Sequence, residues 1–160
     1  MNAVEQSEQF RIKHRSLLNS ADISRFNKVA VDNFRNARKE VILIESYTGN
    51  ELTGHLLVTP LFSRTKPAEN QAVFLSNLFY STNKEADSLI REAKMCSWEM
   101  EYHVAFALNT CSFYFENGFH KNTNNAFPLY CKEAPLIYSE LSWDGINVLS
   151  GDLIFPMRNH

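Results

Sequence analysis

Tyr114 stands in a run of three aromatic residues, Phe113-Tyr114-Phe115, and Gly118 and Phe119 follow after Glu116 and Asn117. The stretch before it alternates. Tyr102, Val104, Phe106 and Leu108 share one side, and His103, Ala105, Ala107 and Asn109 the other. Apolar residues on both sides are the pattern of a strand covered on both faces. Thr110 offers a hydroxyl for a helix N-cap, and Cys111 to Asn117 make roughly two helical turns. Gly118 sits where a helix-ending residue goes left-handed, and Phe119 can fold back on the last turn. Tyr114 is thereby carried just beyond the C-terminal end of a buried strand, where open α/β sheets place ligands.

Other groups that could move protons are scattered. Glu45, His55 and Glu140 fall on predicted strands, and each reads either as a general base or as a solvated, hydrogen-bonded residue. His103 reads as a satisfied core or surface histidine. The sequence shows no metal-ligand spacing, nucleophile elbow or Walker motif, so no metal site is expected. Three widely spaced cysteines, Cys96, Cys111 and Cys131, read as reduced thiols of a cytoplasmic protein.

The elements that must position these groups are read from periodicity. Residues 1–8 are polar and read as frayed, and Gln9 to Arg15 as a first strand. From Asp22 to Arg38, Ile23, Phe26, Ala30, Phe34 and Ala37 recur at three- and four-residue steps, which predicts one amphipathic helix. Val41 to Tyr47 and Leu52 to Phe62 are β-rich runs about the turn Thr48-Gly49-Asn50-Glu51, an antiparallel hairpin. Gly54 inside the second run suggests a bulge, and Pro60 a point where ladder donation stops.

Gln71 to Tyr80 is the next strand, and Asn83 to Met100 a helix packing through Ala86, Leu89, Ile90 and Ala93. A strand, a helix of that length and the strand from Tyr102 make a βαβ unit with parallel strands. Lys121 to Ala126 reads as a loop. Leu136 to Ser142 and Val148 to Phe155 read as a terminal hairpin about Asp144-Gly145.

Phe113-Tyr114-x-x-x-Gly118-Phe119 resembles the FYxxxGF signature of the GNAT superfamily of acyl-CoA-dependent N-acetyltransferases. The order of elements is similar to that fold from about residue 20 to the end. GNELTGHLLVTPLF resembles the family's third strand. YSELSWDGINVLSGDLIFP resembles the closing strands of small bacterial acetyltransferases. The resemblance implies a mixed α+β fold, with one parallel strand pair joined by a helix and flanking helices around a central mixed sheet. It also implies that this pair, Gln71–Tyr80 and Tyr102–Asn109, splays apart to admit acetyl-CoA.

In such enzymes the tyrosine of the signature protonates the departing thiolate, so the resemblance implies a catalytic role for Tyr114. Main-chain groups of Leu78, Phe79 and Tyr80 would then meet the pantetheine arm. Thr82, Asn83 and Lys84 would lie at the pyrophosphate, and Asn109 and Phe113 would complete the cofactor-binding set. The implied reaction transfers an acetyl group from acetyl-CoA to a primary amine, on a small molecule or a peptide. The alternatives are a non-catalytic binding or regulatory module on the same fold, and a small α/β domain whose main role is assembly through its terminal strands. A homodimer fits either kind.

The sequence departs from the family between the fourth strand and its helix. An Arg/Gln-x-x-Gly-x-Gly/Ala loop is expected there, because glycines let the backbone approach the pyrophosphate at the helix start. This chain has Ser81-Thr82-Asn83-Lys84-Glu85-Ala86, and no glycine occurs between Gly54 and Gly118. Thr82 and Glu85 instead have the spacing of a capping box. Weak coenzyme A binding is therefore expected.

Composition bounds the rest. A chain of 160 residues reads as one domain, residues 1–160, large enough to bury a substantial core. A formal charge of −2 gives no electrostatic reason to expect nucleic acid or an acidic membrane surface. The basic cluster Arg11-Ile12-Lys13-His14-Arg15 reads as a solvated strand edge. No apolar run approaches the ~20 residues that span a bilayer, and the first ten residues lack a signal peptide's apolar core.

Overall fold

One asparagine, Asn27, divides what the apolar spacing predicts as one helix. A computed structural model describes residues 9–121, 135–141 and 153–154. In it, α1 (Ser20–Ser24) is capped by Asn19 and α2 (Lys28–Ala37) by Asn27. Each cap is extended, and each accepts a main-chain N–H three residues on, Asp22 for Asn19 and Ala30 for Asn27. An asparagine side chain competes with the backbone for these bonds and so favours a helix start over a helix interior. The region before Val41 thus holds two helices, correcting the single helix read from periodicity.

The remaining elements in chain order are β1 (Arg11–Leu17), β2 (Val41–Thr48), β3 (Glu51–Pro60) and β4 (Ala72–Phe79). They continue as α3 (Asn83–Glu99), β5 (Val104–Leu108), α4 (Phe113–Glu116), β6 (His120–Lys121) and β7 (Leu136–Glu140). Among the described residues they form a seven-stranded sheet in the order β1-β2-β3-β4-β5-β7-β6. The pair β4 and β5 is parallel, from Ala72 opposite Val104 to Leu75 opposite Ala107, and its neighbours run antiparallel. The fold is therefore the mixed α+β arrangement expected, with the βαβ crossover through α3. Most of the predicted terminal hairpin lies outside the described residues, as do the loop after Lys121 and Cys131. Ser63 and Leu153 form an isolated antiparallel bridge.

Alternation in β2 and β3 sends side chains to both faces, and each face is covered. Ile44, Leu56, Leu75, Leu89 and Ile90 are buried together where α3 packs. Ile23, Ala30, Leu43 and Leu57 are buried together where α1 and α2 pack. Each such Leu or Ile contributes roughly 1.5–3 kcal/mol on burial, enough to hold the short helices against the sheet.

Two irregularities shape the sheet. In the β2–β3 hairpin, Ser46 faces Gly54 but Tyr47 faces Leu52, so Thr53 is the extra residue beside the glycine. A Cβ on Gly54 would lie 2.5 Å from Ser46 Oγ and 2.9 Å from the Phe79 carbonyl, a close approach that only glycine permits. Between β3 and β4, His55 pairs with Phe79 and Leu57 with Ser76, so β4 carries an extra residue across Asn77 and Leu78. Asn77 has a left-handed φ of 58°. Such bulges bend a strand and re-aim its edge.

No helix among the described residues is long and apolar enough to cross a membrane.

Candidate active site

The parallel ladder stops at Leu75 and Ala107, although β4 runs on to Phe79. Past Leu75 the β4 bulge turns the strand away, and among the described residues its main chain has no ladder partner on the β5 side. A cavity of about 250 Å³ opens at this separation. Asn27, Val29, Ser76, Leu78, Thr110 and Tyr114 are among its walls.

Tyr114 is held firmly. It is 2% exposed, in the first turn of α4. The Phe119 ring packs edge-on against its ring at 5.1 Å, and Phe119 N–H donates to the Tyr114 carbonyl at 3.2 Å. That return depends on Gly118 at φ 88°, the left-handed stop expected from sequence. From α3, Asp87 accepts from Asn117 Nδ2 at 2.8 Å, and Lys94 Nζ donates to the Asn117 carbonyl. Burial, with a smaller contribution from the Cys111 thiol, pushes the Tyr114 phenol above its ordinary 10.0. It stays protonated at any physiological pH, so it can donate a proton or hydrogen bond but cannot serve as a resident base. Thr110 is not the cap of α4, contrary to expectation. Ser112 takes that position without a side-chain bond, and Thr110 N–H turns back to the Leu108 carbonyl at 2.7 Å.

The opposite wall comes from the junction of α1 and α2. Asn27 Nδ2 donates to Ser76 Oγ at 2.9 Å and to Asn77 Oδ1 at 2.7 Å. Asn77 Nδ2 in turn donates to the Phe26 carbonyl at 3.2 Å. The residue that starts α2 therefore also ties the β4 bulge. Sequence reasoning passed over Asn27, Ser76 and Asn77. Asn27 alone left a signal there, as a helix-capping residue type inside a helical pattern.

At the start of α3 the capping box is present. Glu85 N–H donates to Thr82 Oγ1 at 3.2 Å, and Thr82 N–H to Glu85 Oε1 at 3.1 Å. Yet Glu85 does not face outward beside Lys84. Its carboxylate is 1% exposed and accepts from Ser46 Oγ at 2.8 Å and from the Thr53 hydroxyl, both at the β2–β3 bulge. Thr82, Asn83 and Lys84 are exposed, and the main-chain N–H groups of Asn83 and Lys84 lie outside the cap bonds.

The other expected residues are spread by strand alternation. Leu78, Tyr80 and Phe113 pack against the α3-side core, with Tyr80 and Phe113 edge-to-face at 5.9 Å. Phe79 is 48% exposed, its ring 5.3 Å from that of His55. Asn109 follows β5, and its N–H is taken by the Pro135 carbonyl at 2.8 Å. Among the candidate bases, Glu45 is 5% exposed and accepts from Arg15 Nε at 3.1 Å. Glu140 is exposed on β7. His103 precedes β5, at the end of the strand opposite Tyr114.

No family model matches the sequence, and no curated protein is similar to it at the sequence level. Solved structures do match. The GNAT-family N-acetyltransferase YhbS of Escherichia coli, in complex with CoA, is 17% identical with a TM-score of 0.56, over 95% of this chain and 91% of that one. A GNAT-family acetyltransferase of Brucella melitensis with acetyl-CoA is 14% identical with a TM-score of 0.60, over 92% and 96%. An acetyltransferase of Bacillus subtilis with CoA is 14% identical with a TM-score of 0.53, over 82% and 99%. With the parallel pair, the crossover through α3 and the short helix bearing Tyr114 all in place, the chain has the fold of the GNAT superfamily.

Proposed function

We propose that this protein is an N-acetyltransferase that moves an acetyl group from acetyl-CoA to a primary amine on a small molecule or peptide. The observation that carries this reading is the unpaired β5-side edge of β4 beyond Leu75, opening directly onto Tyr114. An extended thioester arm can add to such an edge as a strand would, through main-chain groups of Leu78, Phe79 and Tyr80. Complexes of structural neighbours with CoA, and of one with acetyl-CoA, support the same donor.

Acetyl-CoA supplies an activated carbonyl and a thiolate leaving group. The amine nitrogen attacks that carbonyl, the C–S bond breaks, and the sulfur takes the Tyr114 phenolic proton. The amine's surplus proton restores Tyr114 through solvent, so no charge is left behind. Burial suits Tyr114 to this part, since the phenol enters each turnover protonated. Asn83 and Lys84 offer helix-start N–H groups and one ammonium to the pyrophosphate, at the helix start that Thr82 caps. Phe113, packed on Tyr80, and Asn109, just past β5, complete the proposed cofactor-binding set.

A second reading is favoured by one observation. The capping box takes the N–H groups of Thr82 and Glu85, which a glycine loop would leave for phosphate. On that reading the chain is a non-catalytic binding or regulatory module. The deciding experiment follows thiol release and acetylated product with acetyl-CoA and a panel of primary amines. Turnover that depends on both substrates supports the enzyme. Coenzyme A binding without turnover supports the module, and neither binding nor turnover rejects both.

A further inference from the structure

β1 is the outermost strand at one end of the sheet, with β2 and β3 between it and β4, so what binds there is independent of acetyl transfer. Its seven residues pair with β2 in unbroken register, from Arg11 opposite Tyr47 to Leu17 opposite Val41. An antiparallel edge strand directs the N–H and C=O groups of alternate residues outward. Among the described residues no main-chain hydrogen bond reaches β1 from that side, and Lys13 to Ser16 are all exposed. Edges are commonly blunted by a proline, a bulge or a very short strand. β1 has none of these, whereas β6, outermost at the other end among the described residues, is two residues long.

What β1 does carry is charge of one sign. Arg11, Lys13 and Arg15 alternate, so they share the α1 side of the sheet with Leu17, spaced roughly 6.6 Å apart. Arg11 and Lys13 lie over the Tyr47 ring at 5.7 and 5.4 Å, and Arg11 Nη2 donates to the Gly49 carbonyl at 2.6 Å. Lys13 makes no ion pair among the described residues. Arg15 gives Nε to Glu45, and its side chain is still 58% exposed. Side chains already held in place lose less freedom when an anion reaches them.

This row selects between partners. Two copies of β1 paired antiparallel about His14 would set Lys13 of each against Arg15 of the other, and like charges directly opposite repel. A strand with carboxylates at every second residue meets the same row with opposite charge. We propose that β1 is a docking edge for an extended acidic segment of a partner protein, added to the sheet as a further strand. Outward main-chain groups of β1 hold the segment, and its alternate carboxylates meet Arg11, Lys13 and Arg15. The residues between them fall on the side of Ile12, which packs against the α3-side core, so apolar side chains fit there.

The test is a titration of the folded protein with a capped seven-residue peptide that alternates Glu and Val, following the backbone amides by NMR. One control peptide has Lys in place of Glu. A second keeps the Glu and Val side chains but has every amide N-methylated, so it retains the charge and loses the main-chain donors. Saturable shifts are expected across residues 11–17 with a millimolar or tighter Kd, together with slowed amide exchange at alternate residues of β1. Both control peptides should bind at least about tenfold more weakly. Lys13→Gln, at an exposed position, should weaken the Glu peptide about two- to fivefold. The proposal is overturned if no saturable shift appears in β1, if either control peptide binds as well, or if Lys13→Gln binds like the parent.

Discussion

Asn27 Nδ2 donates to Asn77 Oδ1 at 2.7 Å, joining the start of α2 to the left-handed residue of the β4 bulge. The same Asn27 side chain caps α2 through Oδ1, which accepts Ala30 N–H at 2.8 Å. One residue therefore sets both where a helix begins and how far β4 turns from β5.

Asn27→Ala should remove both functions and destabilise the protein by about 1–3 kcal/mol, combining a lost cap with lost side-chain bonds. Asn27→Asp retains the capping oxygen and loses the donor, so it should cost less. Urea unfolding of the two variants measures the difference. Equal stabilities would mean that the link to Ser76 and Asn77 contributes nothing.

Tyr114→Phe keeps the ring in its packing against Phe119 and removes the proton. Turnover with any working amine should fall by about 10²-fold or more, while stability changes little. Unchanged turnover would reduce Tyr114 to a packing aromatic.

The glycine-free start of α3 should bind coenzyme A weakly. Two N–H groups are committed to the capping box, and each charge-assisted bond missing from the pyrophosphate costs ~1.5–3 kcal/mol. The inward turn of Glu85 lessens the repulsion its charge would cause, but does not return those donors. Ligand at 100 times its Kd would stabilise the native state by ~2.7 kcal/mol, which a melting scan detects. A clear shift at micromolar coenzyme A would show that this loop replaces the glycines.

Cys96 is 7% exposed, and burial followed by Glu99, Glu92 and Glu40 raises its thiol from 9.0 to about 11. Only about a thousandth of it is thiolate at pH 8, so iodoacetamide should label half-exposed Cys111 well before Cys96. Because the folded pKa is the higher one, its contribution to stability is complete below pH 9.0. It is lost as pH rises through about 11. Cys96→Ala should flatten that part of the fall in the urea midpoint, and an unaltered profile would rule Cys96 out as its source.

The sequence by itself determined the local units, because each rests on neighbours along the chain. Alternation located β5, three- and four-residue spacing located α3, and Thr82 with Glu85 marked its cap. Gly118 and Phe119 specified how α4 ends. Their order was enough for the parallel pair and for the fold. Tertiary structure alone decided the direction of Glu85, which follows Ser46 and Thr53, residues 39 and 32 positions away that a bulge brings beneath α3. It likewise decided that Asn27 meets Ser76 and Asn77 across 49 and 50 residues. It also set Glu45 and His55 in one cavity apart from Tyr114. Periodicity assigns a side chain to a face, but which partner waits on that face depends on register, on bulges and on the packing of distant elements.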